Sequence, residues 1–216
     1  MTSSAPKIGL FLLGAGGHGR VVADIAEATN WTDTAFLDDR WPAFSQNLAW
    51  PILGTFRDLA ARARAGGAVL VTIGGNHTRL NLHRELRENY FIPTLIHPSA
   101  VVSPHATIGA GCVVMANAVI NAGARIGDAV IVNTAATIDH DCRLADGVHI
   151  SPGAHLAGGV DVGEASWVGI GSAVREGVVI GADVVVGAGA AVIADIQDGR
   201  MAAGVPATVR KAKSSC

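Results

Sequence analysis

Between Ser99 and Ala194 the chain repeats itself every six residues, sixteen times in succession and without an insertion. The fourth place of every hexad is aliphatic, from Val102, Ile108 and Val114 through Ile138, Leu144 and Ile150 to Val186 and Val192. The second place holds only Ala, Cys, Ser or Val, and Gly, Ala, Asp and Asn crowd the hexad boundaries. An amphipathic helix needs apolar residues every 3.6 positions and a sheet strand every second one, so neither accounts for this pattern. A period of six predicts a parallel β-helix in which each hexad is one short strand and a turn, with three hexads to a coil of about 18 residues. The fourth-place aliphatics then stack inside a triangular prism and the small second-place residues fill its corners. A single coil has nothing to bury its apolar face against, so such an array is stable only as a stack.

The repeat also explains a composition that would otherwise suggest a membrane protein. Half the residues are hydrophobic and mean hydropathy is +0.38. Yet Asp, Glu, Asn or His interrupts every long apolar run, and none approaches the ~20 residues of a spanning helix. No membrane span is therefore expected. The start, Met1–Lys7, is polar and lacks the pattern of a signal peptide, and a cytoplasmic protein is the expectation. A formal net charge of −2 without a basic stripe argues against a nucleic-acid partner. Of three cysteines, Cys112 and Cys142 take the small second place, which makes them core filler rather than a disulfide or zinc set.

Residues 1–95 read as a separate α/β domain, followed by the β-helix and tail over residues 96–216. Strands are expected at Lys7–Leu13, Thr34–Leu37, Ala68–Ile73 and Thr94–Ile96, and helices at Val21–Thr29, Phe56–Ala65 and Thr78–Asn89. This alternation predicts a small parallel, Rossmann-like sheet. Gly14, Gly16 and Gly19 match the glycine fingerprint of dinucleotide sites, with Asp38 at the place of a ribose-binding acid. The domain is about half the length of a full dinucleotide fold, so the expectation reduces to a phosphorylated ligand at a glycine turn and helix N-terminus.

Inside the β-helix the informative residues are those that break the repeat. Asp139-His140-Asp141 places a histidine at a corner with a carboxylate on each side. Stacking at 18 residues sets Ala122 below it and Gly158 above it, two small neighbours that leave space around the ring. A histidine has the basicity to take a proton from an attacking amine, and a neighbouring carboxylate fixes its tautomer. An open backbone N–H at Gly158 is suited to an oxyanion. Further histidines, His83, His97, His105 and His155, together with His149, raise a zinc-enzyme alternative. His140, His149 and His155 fall on different hexad places, so convergent ligation is not expected and no metal is assigned. A scaffold without activity would not need the Asp-His-Asp departure.

The repeat, with GAGGHGR after the first strand, FLDD, IGGN and IHPSA, resembles the hexapeptide-repeat, left-handed β-helix acetyltransferases that act on nucleotide-linked sugars. These are the bacillosamine and perosamine N-acetyltransferases and the sialic-acid O-acetyltransferase-like proteins. The resemblance spans nearly the whole chain. It implies a homotrimer that takes acetyl-CoA as co-substrate and acetylates the C4 amine of a nucleotide-linked 4-amino-6-deoxysugar. GDP-perosamine is the preferred acceptor, ahead of the UDP-linked bacillosamine precursor or a sialic-acid-like hydroxyl. By the same resemblance Gly16, Gly17, His18, Asp38, Asp39 and Gly74 hold the nucleotide sugar. His140 is the base, Asp141 its helper and Gly158 the oxyanion donor. His149, Ile170 and Ala188 contact acetyl-CoA, and Arg210 and Lys211 lie near its phosphates. The family carries glutamate where this chain has Asp141, one methylene shorter.

Overall fold

The computed structural model describes residues 9–63 and 67–210. Lys211 and Cys216 lie outside the described residues. The chain forms two compact units, residues 1–98 and 99–216.

The first unit carries a three-stranded parallel sheet in the order Thr34–Leu37, Leu10–Leu13, Ala68–Val71. Its strands are short apolar runs, and Leu12, Phe36, Leu37 and Val69 are fully buried. The first helix, Gly17–Ala28, begins four residues earlier than the sequence pattern suggests. The glycine turn itself supplies its first turn, which the apolar periodicity of Val22, Ile25 and Ala26 does not reveal. The expected helix over Phe56–Ala65 is a 3-10 turn at Phe56–Asp58 and one α-turn at Leu59–Arg62, opened by a Thr55–Asp58 capping box. The third helix is Asn76–Leu86. Leu95–Ile96 stands outside the three-stranded sheet, so the sheet is one strand narrower than the β-α alternation implies.

In the second unit each of the sixteen hexads gives a two-residue strand at its third and fourth places, from Val101–Val102 to Ala191–Val192. Strands 18 residues apart pair in parallel, as Ile131 with His149 and His149 with Trp167. Three faces result. The first holds Val101, Val119, Thr137, His155, Ala173 and Ala191. The second holds Thr107, Arg125, Arg143, Asp161 and Val179. The third runs Val113, Ile131, His149, Trp167, Val185. Fourth-place residues fill the prism: Val114, Val132, Ile138, Ile150 and Val168 are wholly buried. Buried hydroxyls at second places are satisfied, Ser166 by the Gly181 carbonyl and Ser172 by that of Gly169, both at 2.7 Å. After the repeats, Met201–Ala203 adds one more parallel strand beside Val185–Val186 and Thr208–Arg210 folds back against it. The hexad pattern, broken at Asp195, gives no sign of that closing hairpin.

The core is close-packed along its whole length, so its cost of truncation is local and large. Ile150→Ala is expected to destabilise by about 2–5 kcal/mol. Val179→Ala, at an exposed third place, is expected to stay within about 0.5 kcal/mol. Denaturant unfolding of both variants checks the contrast, and equal losses would contradict the inward assignment of the fourth place.

Candidate active site

Three groups of residues stand out, one in the first unit and two on the solenoid. In the first unit, a cavity of about 500 Å³ is lined by Gly14, Gly16, Gly17, His18, Asp38, Asp39, Arg40, Phe56, Thr72, Ile73 and Gly74. All six residues expected to hold the nucleotide sugar are among them. The glycines divide the work. Gly14 adopts φ +111°, open to glycine, and a Cβ on Gly19 would overlap the Gly14 carbonyl, so these two shape the turn and seat the helix on the strand. Gly16, Gly17 and Gly74 have nothing within 4 Å of a Cβ position, so backbone there is open to a ligand.

The carboxylates are partly committed. Asp38 accepts the Ala15 N–H at 2.8 Å and both Arg40 Nε (2.7 Å) and Nη2 (2.8 Å). The Arg40 hydrogen bonds hold its pKa at about 2. Asp38 so held is not free to receive a ribose hydroxyl, so it does not fill the ribose-binding place of the dinucleotide fingerprint. Asp39 accepts the Phe56 N–H at 3.0 Å. Burial, with Arg79 nearby, lowers the His18 pKa to about 4. The ring is therefore neutral at physiological pH, and its buried Nε2 has no hydrogen-bond partner among the described residues. Arg40, Phe56 and Thr72 were not singled out from the sequence. Only Arg40, directly after the two aspartates, had a local signal.

The second group sits at the corner between the first and second faces. His140 Nδ1 lies 2.9 Å from Asp141 Oδ2. The carboxylate only accepts, so Nδ1 carries the proton and neutral His140 presents a lone pair at Nε2. Asp141 reaches the ring despite its short side chain because its backbone takes φ +59°. Asp139 serves the turn instead of the ring. Its Oδ1 accepts the His140 N–H at 2.7 Å and Asn121 Nδ2 at 2.9 Å, which locks the backbone while Asp141 orients the imidazole. The hydrogen bond that Nδ1–H donates to Asp141, then the charge of Asp139, raises the His140 pKa above its usual value. The ring lies over Gly158, where a Cβ would overlap Nε2. The Gly158 N–H donates to no acceptor among the described residues, while its carbonyl accepts the Gly177 N–H. Cys142, the next residue, is buried with its thiol on the Ala157 carbonyl at 3.2 Å, and burial pushes its pKa up. It is no nucleophile.

The third group forms a groove of about 430 Å³ near the corner between the third and first faces, and His149, Ile170 and Ala188 all line it. His149 and Trp167 stack at 5.0 Å with an 18° interplanar angle. Trp167 Nε1 donates to Ser151 Oγ at 2.6 Å, and His149 Nε2 meets Asn133 Nδ2 at 3.2 Å. His149 is therefore buried beneath the indole, although its hexad place faces outward. Gly169 and Gly187 keep the floor of the groove at backbone level. Arg210, exposed at the end of the closing hairpin, pairs with Met201, which in turn pairs with Val185 of this groove's lining. Among the described residues no group of three or more metal-ligating side chains converges, and no helix is long and apolar enough to cross a membrane.

A hexapeptide solenoid with a carboxylate-oriented histidine at one corner and an apolar, glycine-floored groove near another defines an acyltransferase of the hexapeptide-repeat class. Residues 9–86 match the family described as the PglD N-terminal domain. The acetyltransferase domain of PglB from Neisseria gonorrhoeae, in complex with acetyl coenzyme A, is 43% identical with a TM-score of 0.91, covering 95% of this chain and 100% of that one. PerB from Caulobacter crescentus, in complex with CoA and GDP-perosamine, is 41% identical with a TM-score of 0.87, covering 94% and 97%. A UDP-N-acetylbacillosamine N-acetyltransferase of Bacillus subtilis is 42% identical over 110 residues, 49% of this chain and half the length of that relative. The protein belongs to the perosamine/bacillosamine N-acetyltransferase family of hexapeptide-repeat acetyltransferases.

With His140 as the base, Asp141→Asn is expected to shift the acid limb of the pH–rate profile to lower pH, because the His140 pKa, raised by Asp141, falls when the carboxylate is lost. The plateau falls as well, since asparagine no longer selects the Nδ1–H tautomer. An unmoved acid limb would show that another group sets it.

Proposed function

We propose that the protein transfers the acetyl group of acetyl-CoA to the C4 amine of a nucleotide-linked 4-amino-6-deoxysugar, with GDP-perosamine as the acceptor. The observation that carries this is the Asp141–His140 pair, with Nε2 directed over Gly158. The amine attacks the thioester carbonyl, forming a C–N bond. His140 Nε2 takes the amine proton, and the Gly158 N–H is placed to meet the oxyanion. Collapse breaks the C–S bond, and the proton on His140 passes to the leaving thiolate. The product is an amide and free CoA, with no acyl-enzyme.

The groove of His149, Trp167, Ile170 and Ala188 holds the pantetheine arm, and the cavity of Gly16, Gly17, His18, Asp38, Asp39 and Gly74 holds the nucleotide sugar. Support comes from the Caulobacter relatives, which were crystallised with CoA and GDP-perosamine and include variants in which a histidine is replaced. The dyad lies at one corner of the prism and the acetyl-CoA groove near another. One site therefore draws on two copies, and the assembly is a homotrimer working in the cytoplasm.

A thiol-release assay with acetyl-CoA tests the reading across GDP-perosamine and UDP-linked 4-amino-6-deoxysugars. Turnover with GDP-perosamine alone upholds it. Turnover with a UDP sugar alone moves the nucleotide, as the Bacillus relative's name would suggest. Silence with every amine moves the acceptor to a hydroxyl.

A further inference from the structure

Another cavity on the solenoid, of about 350 Å³, adjoins the dyad on the side away from the first face. It is lined by His105, Thr107, Gly123, Arg125, Asp141 and Arg143. The register sets Arg125 directly opposite Arg143 on neighbouring parallel strands. Like charges in that relation are destabilising, and here they are only partly relieved. Arg143 Nη1 lies 3.7 Å from Asp161 Oδ2, a long ion pair with both side chains well exposed. Arg125 has no carboxylate or hydrogen-bond partner among the described residues. Asp141, the one acid in the cavity, has Oδ2 committed to His140 and its Oδ1 packed where a Cβ on Gly123 would be. Two arginines on strands one rung apart, about 4.8 Å, thus face the cavity beside His140 with their charge only partly compensated.

We infer that Arg125 and Arg143 form an anion subsite that grips the diphosphate of the acceptor while its amine is presented to His140. Guanidinium groups suit phosphate oxygens because their donors form a planar fork that can bond two oxygens at once. The choice between the two diphosphates in the reaction follows from covalent distance. In the nucleotide sugar a single pyranose ring separates C4 from the anomeric phosphate. In acetyl-CoA the full pantetheine arm separates the thioester from the phosphates. Arg143 is only three residues from His140, a span of at most about 10 Å, and only the sugar's diphosphate lies that near the reacting atoms. The subsite rests on the nucleotide-sugar reading above.

The test uses the full chain, its R125Q/R143Q variant and the R125K/R143K variant, with two readouts. Calorimetry with inorganic pyrophosphate is expected to give binding to the wild type that weakens tenfold or more in the glutamine variant and recovers in part with lysine. Steady-state kinetics is expected to show KM for GDP-perosamine raised tenfold or more, with kcat, its pH profile and the KM for acetyl-CoA within twofold. Equal pyrophosphate binding by wild type and glutamine variant, or none by either, overturns the subsite. A rise confined to the acetyl-CoA KM overturns it too and gives the pair to the co-substrate's phosphates. A kcat loss with a displaced pH profile and unchanged KM would mean that the arginines act on Asp141 instead. Arginine-dependent pyrophosphate binding in an enzyme that turns over no amino sugar upholds the subsite and rejects only the acceptor.

Discussion

Gly158→Ala is expected to lower kcat by about 10²-fold or more while leaving the protein folded. An alanine Cβ would overlap His140 Nε2 and Cε1, so the ring must leave its position. Because His140 is well exposed, it can swing outward at little cost to stability. The backbone at 158 is outside the left-handed region, and a glycine replaced there by alanine gains about 0.4–1 kcal/mol through the unfolded chain. The two effects leave the unfolding midpoint nearly unchanged. The catalytic effect is much larger, because a base displaced by an ångström or more no longer meets the proton. Thermal unfolding, acetyl-CoA affinity and kcat measured on one preparation separate the two effects. Full turnover in the alanine variant would remove both the ring position and the oxyanion role of this residue.

His140→Gln carries the other large effect, a fall in kcat of about 10²–10⁴-fold. Glutamine keeps polarity and bulk but has no proton affinity near neutral pH, so the acid limb of the pH–rate profile should vanish with the rate. A fall of less than tenfold would mean that solvent carries the proton away from the amine. The double variant with Gly158→Ala sharpens the reading. If the alanine acts by displacing the histidine, the double variant is no slower than His140→Gln alone, since effects on one functional unit do not add. A further loss in the double variant would isolate a separate contribution from the Gly158 backbone N–H.

The solenoid was legible because its rule is local and absolute. Ile138 or Val168 is inside by virtue of its hexad place, and nothing distant has to be known. The corner dyad was visible for the same reason, as a breach of that rule. Which aspartate serves His140 was not visible. Asp139 and Asp141 are symmetrical in sequence, and the choice is made by the left-handed backbone at Asp141 and by Asn121, 18 residues back, which draws Asp139 away. The N-terminal unit was harder throughout. Its first helix starts inside a glycine turn that propensity alone would assign to a loop, and the Arg40 latch on Asp38 depends on backbone geometry after the strand. The burial of His149 came from its neighbour one coil on, Trp167, whose ring covers it. The opposed arginines needed the register as well, since charge and composition alone put them on a merely solvated face.

The uninterrupted run of hexads has one more consequence. Each residue's address is its remainder on division by the coil length, so a single inserted residue would exchange core and surface for everything beyond it. Removing one whole coil between Asp141 and Trp167 would keep every remaining inside residue inside, yet any such cut takes out both His149 of the groove and Gly158 beneath the His140 ring. The prism thus works as a ruler: its coil count fixes where the His140 corner and the His149 groove stand along the axis, in steps too coarse to drift.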